Sequence, residues 1–155
     1  MMRLVPASDE QKPLIANLIQ LYLHDMTETM PFPVGPDGRF EYDFLDRFWQ
    51  FPYLIYLGDE IAGFALVIDE CPLTSRRPCY FMAEFFVLKA YRRRGIGQAA
   101  LAAIAERHPG DWHVGVPQQN TPAQTFWFRA LGPYAPATRD VTVEGDNWRL
   151  HAFSA

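Results

Sequence analysis

A mixed α/β fold in one domain, residues 1–155, is what this sequence predicts, on three observations. Runs of strand character alternate with segments whose apolar residues recur at helical spacing. The 155-residue length fits one ordinary domain, and 49% hydrophobic against 21% charged residues supplies enough apolar surface for a core. No repeat, low-complexity tract or linker-like stretch divides the chain.

The expected element order is β-α-α-β-β-β-α-β-α-β-β. Arg3 to Ala7 opens it as a short strand. Ser8-Asp9-Glu10-Gln11 has the form of a capping box, and Leu14, Ile15, Leu18, Ile19, Leu21 and Tyr22 follow at helical spacing towards an end near Thr29. Pro13 falls in the first turn, where a missing N–H costs little. Pro31, Pro33, Gly35, Pro36 and Gly38 form an irregular connection. Phe40 to Phe51 is expected as a second, aromatic-rich helix ended by Pro52. Tyr53–Leu57 and Glu60–Ile68 flank a Gly58-Asp59 hairpin turn. After a loop at Pro72–Pro78, Cys79 to Leu88 is an apolar strand interrupted by one charge, Glu84. Gly95 to His108 reads as a helix, Trp112 to Val116 as a strand, and Thr121 to Leu131 as a helix stopped by Gly132-Pro133. Ala137–Val143 and Asn147–Phe153 close the chain as a hairpin around Glu144-Gly145-Asp146.

Several functional classes are disfavoured at once. The longest apolar run, Ile61 to Ile68, is far too short to span a membrane. The N-terminal residues lack an apolar export core, so Cys71 and Cys79 are expected as reduced thiols in a cytoplasmic protein. Two cysteines and four scattered histidines offer no ligand-pair spacing, so no metal is expected. The formal charge of −4 is unevenly placed. Residues 1–70 hold 12 acids and 4 bases, residues 71–155 hold 6 acids and 10 bases, and six of those ten bases lie from Arg76 to Arg94. A nucleic-acid binder would be basic overall, so one local anion site fits better.

That site has a motif. Phe85-Phe86-Val87-Leu88 leads through Lys89-Ala90-Tyr91-Arg92-Arg93-Arg94 to Gly95-Ile96-Gly97-Gln98, an apolar strand passing through a basic, glycine-containing turn into a helix. Glycines let the backbone bend close to an anion, and a helix N-terminus adds unpaired N–H donors and a favourable dipole. The arrangement suits a pyrophosphate. It lacks the third glycine and downstream acid of a dinucleotide fold and the Gly-Lys-Ser/Thr of a phosphate loop.

Arg92-x-x-Gly95-x-Gly97 after an apolar strand resembles the acetyl-CoA signature of the GNAT N-acetyltransferase superfamily. Asn120-Thr121-Pro122-Ala123-Gln124-Thr125-Phe126-Trp127, with Leu131-Gly132 after it, is similar to that family's Asn-x-x-Ala-x-x-(apolar)-Tyr segment. With the element order, the resemblance spans nearly the whole chain. It implies a mostly antiparallel central sheet with a splayed strand pair and flanking helices. It also implies acetyl-CoA as co-substrate, with the pyrophosphate on backbone N–H groups of Arg93, Arg94, Gly95, Ile96, Gly97 and Gln98. Phe85, Phe86 and Val87 would pair with pantetheine, Asn120 would contact the cofactor arm, and the Arg92, Arg93 and Arg94 side chains would attract the phosphates. The implied reaction is direct attack of a neutral amine on the thioester, with the Val87 N–H as oxyanion donor.

The sequence departs from the pattern in two places. Trp127 stands where the family often has a tyrosine that protonates the thiolate, which leaves water, Tyr134 or no group for that role. Gly115 stands where some members place a glutamate base. Glu84, the sole charge of its strand, or His113, two residues before Gly115, can replace that base, and a water chain is a third option. Asp25, Glu28, Asp37, Glu41, Asp43 and Asp46 would favour a cationic small-molecule amine as acceptor if two of them face the cleft. His24-Asp25 reads either as part of an acceptor site or as a solvated helix face. A CoA-binding regulatory or interaction module, and a protein or peptide N-acetyltransferase, remain alternatives. No nucleic acid or membrane partner is expected, and a homodimer is left open.

Overall fold

The computed structural model describes residues 1–155. Its strands are β1 (Met2–Pro6), β2 (Phe51–Leu57), β3 (Glu60–Ile68), β4 (Tyr80–Val87), β5 (Asp111–Pro117), β6 (Ala137–Val143) and β7 (Asp146–Ser154). Its helices are α1 (Lys12–Met26), α2 (Ile96–Arg107) and α3 (Thr121–Ala130). The strands form one seven-stranded sheet in the order β1-β2-β3-β4-β5-β7-β6, antiparallel throughout except where β4 meets β5.

Strand alternation divides the apolar side chains between two faces. Leu54, Phe64, Leu66 and Phe86 pack with Ile15, Ile19 and Leu23 of α1. Ile55, Ala65, Val67, Met82, Val114 and Val116 pack with Ile96, Ala100, Leu101 and Ile104 of α2 and Trp127 of α3. The entry to α1 follows the expected box: the Ser8 N–H donates to Gln11 Oε1 at 3.0 Å, ahead of a short 3-10 turn. At the end of α2, His108 is buried between the Phe51 and Tyr80 rings, with its Nε2 2.6 Å from the Tyr53 hydroxyl.

The helix expected at Phe40–Phe51 does not form. Residues 27–50 instead cross the α1 face as an irregular strap with a single helical turn, closed by the Phe48 N–H on the Phe44 carbonyl. The aromatic side chains that suggested one helical face serve separate targets. Both main-chain groups of Phe40 are held by the Gln20 side-chain amide, Phe48 is buried, and the Trp49 indole N–H donates to Asp9. Phe51 already pairs with Val67 in β2. Pro52 follows inside the strand at no cost: its carbonyl accepts from Ala7, so its nitrogen faces the side where β1 has ended at Pro6.

Gly63 in β3 has a role beyond the turn glycines. A Cβ there would lie 2.0 Å from the Phe86 carbonyl oxygen, so the close crossing of β3 and the end of β4 needs a residue without a side chain. Gly63→Ala should therefore destabilise the protein by about 3 kcal/mol, read as a fall of roughly 10 °C in Tm. An unchanged melting curve would show that the two strands yield at that point.

Candidate active site

The β4–β5 contact consists of two residue pairs, Tyr80–Trp112 and Phe81–His113, although both strands run on. β4 stays with β3 and β5 stays with β7 along their lengths, so the sheet opens into a wedge. The opening starts at a bulge: the β3–β4 register passes from Val67–Met82 to Leu66–Glu84 and leaves Ala83 unpaired. Beyond it, the Leu88 N–H donates to the Ala62 carbonyl at 2.8 Å. Alternation of the antiparallel ladder then directs Phe86 towards β3 and turns the N–H and C=O groups of Phe85 and Val87 into the wedge.

Aromatic rings line one wall. Phe85 stacks on Phe126 at 5.6 Å and meets Trp127 edge-on at 5.3 Å. Gly97 permits this packing, since a Cβ there would come within 2.8 Å of the Phe126 ring. The Gln124 amide donates to the Pro117 carbonyl at 3.0 Å, and the Gln98 amide donates to Ala130, fixing α3 against β5 and α2.

At the wedge mouth, the turn entering α2 holds Arg93 and Gly95 at φ of 63° and 74°. None of the backbone N–H groups of Arg93, Arg94, Gly95, Ile96, Gly97 and Gln98 is donated to an acceptor in the protein. Six consecutive free donors at a helix N-terminus, next to exposed Arg93 and Arg94 side chains, make an anion cradle suited to a pyrophosphate. The Arg92 side chain is spent elsewhere. Its Nε donates to the Val87 carbonyl at 2.8 Å and its terminal nitrogen to Asp25 at 2.5 Å. Lys89 lies 3.2 Å from the same carboxylate. Burial alone would raise the Asp25 pKa, but the two cations prevail and hold it below the ordinary range. Asp25 is thus neither a solvated helix residue nor free for an acceptor.

Glu84 sits on the α1 side of the sheet. The Tyr22 hydroxyl of α1 donates to its Oε1 at 2.9 Å, and the Tyr42 hydroxyl of the strap donates to its Oε2 at 2.5 Å. Burial pushes its pKa up to about 7, against the opposite pull of the two hydroxyls. Burial and the facing carboxylate raise both tyrosine pKa values, so both remain donors. The sequence pairs neither tyrosine with Glu84; a lone charge in an apolar strand signals that donors must exist, not which they are.

His113 lies at the closed end of the wedge, three residues back from Glu84 in β4 register and so about 10 Å away along the strand. It is buried, with Nδ1 unpartnered, and burial lowers its pKa. Gly115 is covered by Leu73, whose Cδ1 would lie 2.4 Å from an added Cβ. Asn120 caps α3 through Oδ1, which accepts from the Ala123 N–H at 3.3 Å, while its amide nitrogen makes no bond within the protein. Of the six acids singled out in the first half, Asp25 is bound as above, Asp37 accepts from the Arg39 N–H, and Asp46 pairs with Lys12. Glu28 stands exposed just past the end of α1, and Glu41 and Asp43 stand exposed on either side of Tyr42.

A sheet split between two parallel strands, with a turn of free amides at its mouth, is here the cleft of an acyl-CoA-dependent acyltransferase, as the match to a family of such enzymes shows. The sequence profile described as the acetyltransferase (GNAT) family matches residues 16–132, and the chain belongs to that family. No curated protein sequence matches it. Among solved structures it is similar to a GNAT-family acetyltransferase from Streptococcus agalactiae, with 16% identity and a TM-score of 0.72 over 99% of this chain and 95% of that one. It is similar also to an acetyltransferase from Salmonella typhimurium solved with acetyl-CoA, at 12% identity and a TM-score of 0.65 over 99% and 93% of the two chains. A third is the diaminobutyrate acetyltransferase of Paenibacillus lautus in complex with L-2,4-diaminobutyric acid and coenzyme A, at 14% identity and a TM-score of 0.63 over 99% and 95%. At these identities the likeness is one of fold.

The raised Glu84 pKa carries a stability signature. The folded protein binds this proton more readily than the unfolded chain, so ionising Glu84 costs the folded state. Glu84→Gln should stabilise the protein by about 3 kcal/mol above about pH 7, with the gain fading to nothing as the pH falls to about 4.5. Urea unfolding of both proteins across that range is the measurement, and a difference independent of pH would contradict the assignment.

Proposed function

We propose that this enzyme transfers the acetyl group of acetyl-CoA to the primary amine of a small, cationic substrate. The observation that carries the reading is the wedge: the main-chain groups of Phe85 and the N–H of Val87 turned into it, a free-amide turn at its mouth, and one half-buried carboxylate beside it. The N–H groups from Arg93 to Gln98 would hold the pyrophosphate, Phe85 to Val87 would pair with the pantetheine arm, and the free Asn120 amide would meet that arm from α3. Arg93 and Arg94 add long-range attraction.

In the transfer, the amine lone pair attacks the thioester carbon and the carbonyl oxygen becomes negative against the Val87 N–H. Glu84 takes the proton that the amine must lose, directly or through one water, and its pKa near 7 suits it to do so at neutral pH. The C–S bond then breaks and coenzyme A leaves as a thiolate, which solvent can protonate. Trp127 packs edge-on against Phe85 and Phe126 and holds no acid for that step. Glu84 is preferred to His113 because its carboxylate is addressed by α1 and the strap, on the acceptor side, whereas His113 is packed at the closed end.

Support for a cationic acceptor comes from Glu41 and Asp43. They flank the tyrosine that touches Glu84 and would steer an ammonium group towards it. The diaminobutyrate enzyme, of similar fold, takes an acceptor of this charge.

Thiol release with a panel of amines at saturating acetyl-CoA tests the assignment. Glu84→Gln should lower turnover about a hundredfold or more with CoA affinity intact, and His113→Ala should fall far less. The reverse order would move the role of base to His113. Gly97→Glu, which places a side chain and a negative charge in the amide cradle and against Phe126, should abolish CoA binding measured by calorimetry. Binding retained in that variant would move the pyrophosphate elsewhere.

A further inference from the structure

α1 reaches β4 twice from one face. Tyr22 donates to Glu84, and Asp25, one turn further on, pairs with Arg92, which in turn donates to the Val87 carbonyl. The Arg92 guanidinium also lies over the Phe86 ring, 5.6 Å from its centroid. The peptide between Val87 and Leu88 is therefore held from both sides: its N–H by the Ala62 carbonyl of β3, its C=O by Arg92. Because that C=O points into the wedge, β5 offers it no partner, and without Arg92 it would be an open acceptor beside the acyl group. The Asp25 side chain is only 19% exposed, against 39% for Arg92 and 74% for Lys89, so the fixed end of the chain of contacts is the helix.

We propose that Asp25 is a positioning residue for acetyl transfer, holding Arg92 on the Val87 carbonyl and so fixing the main chain that carries the oxyanion donor. This rests on the assignment of the Val87 N–H made above. It also reverses the role that the sequence suggested for Arg92: the guanidinium braces the strand and is not a phosphate ligand. Asp25 removes the charge of Lys89 and Arg92 from the cofactor's attraction and leaves that attraction to Arg93 and Arg94, which have no carboxylate partner.

Asp25→Asn separates these roles. It releases two cations beside the cradle while loosening the Val87 peptide, so CoA should bind as tightly or up to several-fold more tightly by calorimetry. Acetyl transfer should nevertheless slow about tenfold at saturating acetyl-CoA. Hydroxylamine is the acceptor probe, since at about pH 8 it is neutral and needs no base to free its lone pair, and the proton it sheds after attack can pass to water, so the result does not depend on Glu84. Hydrogen exchange of the Leu88 amide, which needs no acceptor, should quicken about tenfold. Asp25→Glu should restore much of both. Arg92→Gln should slow transfer equally, and the double variant should be no slower than Arg92→Gln alone. Unchanged turnover and unchanged Leu88 exchange in Asp25→Asn would reduce the pair to a surface ion bridge and overturn the proposal. So would an Arg92→Gln variant that loses CoA affinity tenfold at unchanged turnover. A silent Glu84→Gln variant would count against the base without touching this result.

Discussion

The parting of β4 from β5 after two residue pairs is the constraint on which the rest of this molecule depends. A strand inside a sheet ordinarily satisfies its main-chain groups on both sides, and leaving one side unpaired is costly unless something else takes the place. Here β3 holds β4 to its end, β7 holds β5, and the Ala83 bulge bends β4 where the two begin to diverge. The gap is kept open by what surrounds it. Phe85, Phe126 and Trp127 fill the α3 side, Gly97 lets Phe126 approach, and Gln124 ties α3 to the free end of β5. An enzyme that must hold an extended thioester arm next to its chemistry gains both an added-strand binding site and a directed N–H from one defect in the sheet.

α1 is the second structural partner of β4. Its apolar stripe, Ile15, Ile19 and Leu23, anchors it on the sheet, and that anchoring gives Tyr22 and Asp25 fixed positions from which to act on Glu84 and Arg92. A carboxylate so placed is costly to the fold: burial favours its neutral form, and two tyrosine hydroxyls offset only part of the penalty. The same balance that weakens the folded state brings the group's pKa to the range where a proton can be both taken and released near neutrality.

Charge follows a similar division of labour. The acidic first half and the basic second half meet in the folded chain where Asp25 receives Lys89 and Arg92. That contact neutralises part of the basic cluster and leaves the free amides and Arg93 and Arg94 to face an anion. Of the acids left exposed, Glu41 and Asp43 lie on the strap, on either side of the tyrosine that touches Glu84.

Read by itself, the sequence determined the order of nearly every element, the glycine turn that leads into α2 and the place of a lone glutamate in an apolar strand. These features are local: apolar periodicity, a Gly-x-Gly turn after a strand, and a charge out of place all act within a dozen residues. It misplaced the strap, because the aromatics from Phe40 to Phe51 share a helical spacing while their partners, Gln20, Glu84, Asp9 and Val67, lie in four other parts of the chain. It likewise grouped Arg92 with Arg93 and Arg94, since nothing local reveals its carboxylate partner 67 residues earlier. Only the tertiary structure decided which side chains meet Glu84, which cation is spent on Val87, and why Gly63 must be glycine. Each of these is a contact between distant segments, and the free energy that selects such contacts comes from packing the whole sheet between its helices rather than from any one stretch of sequence.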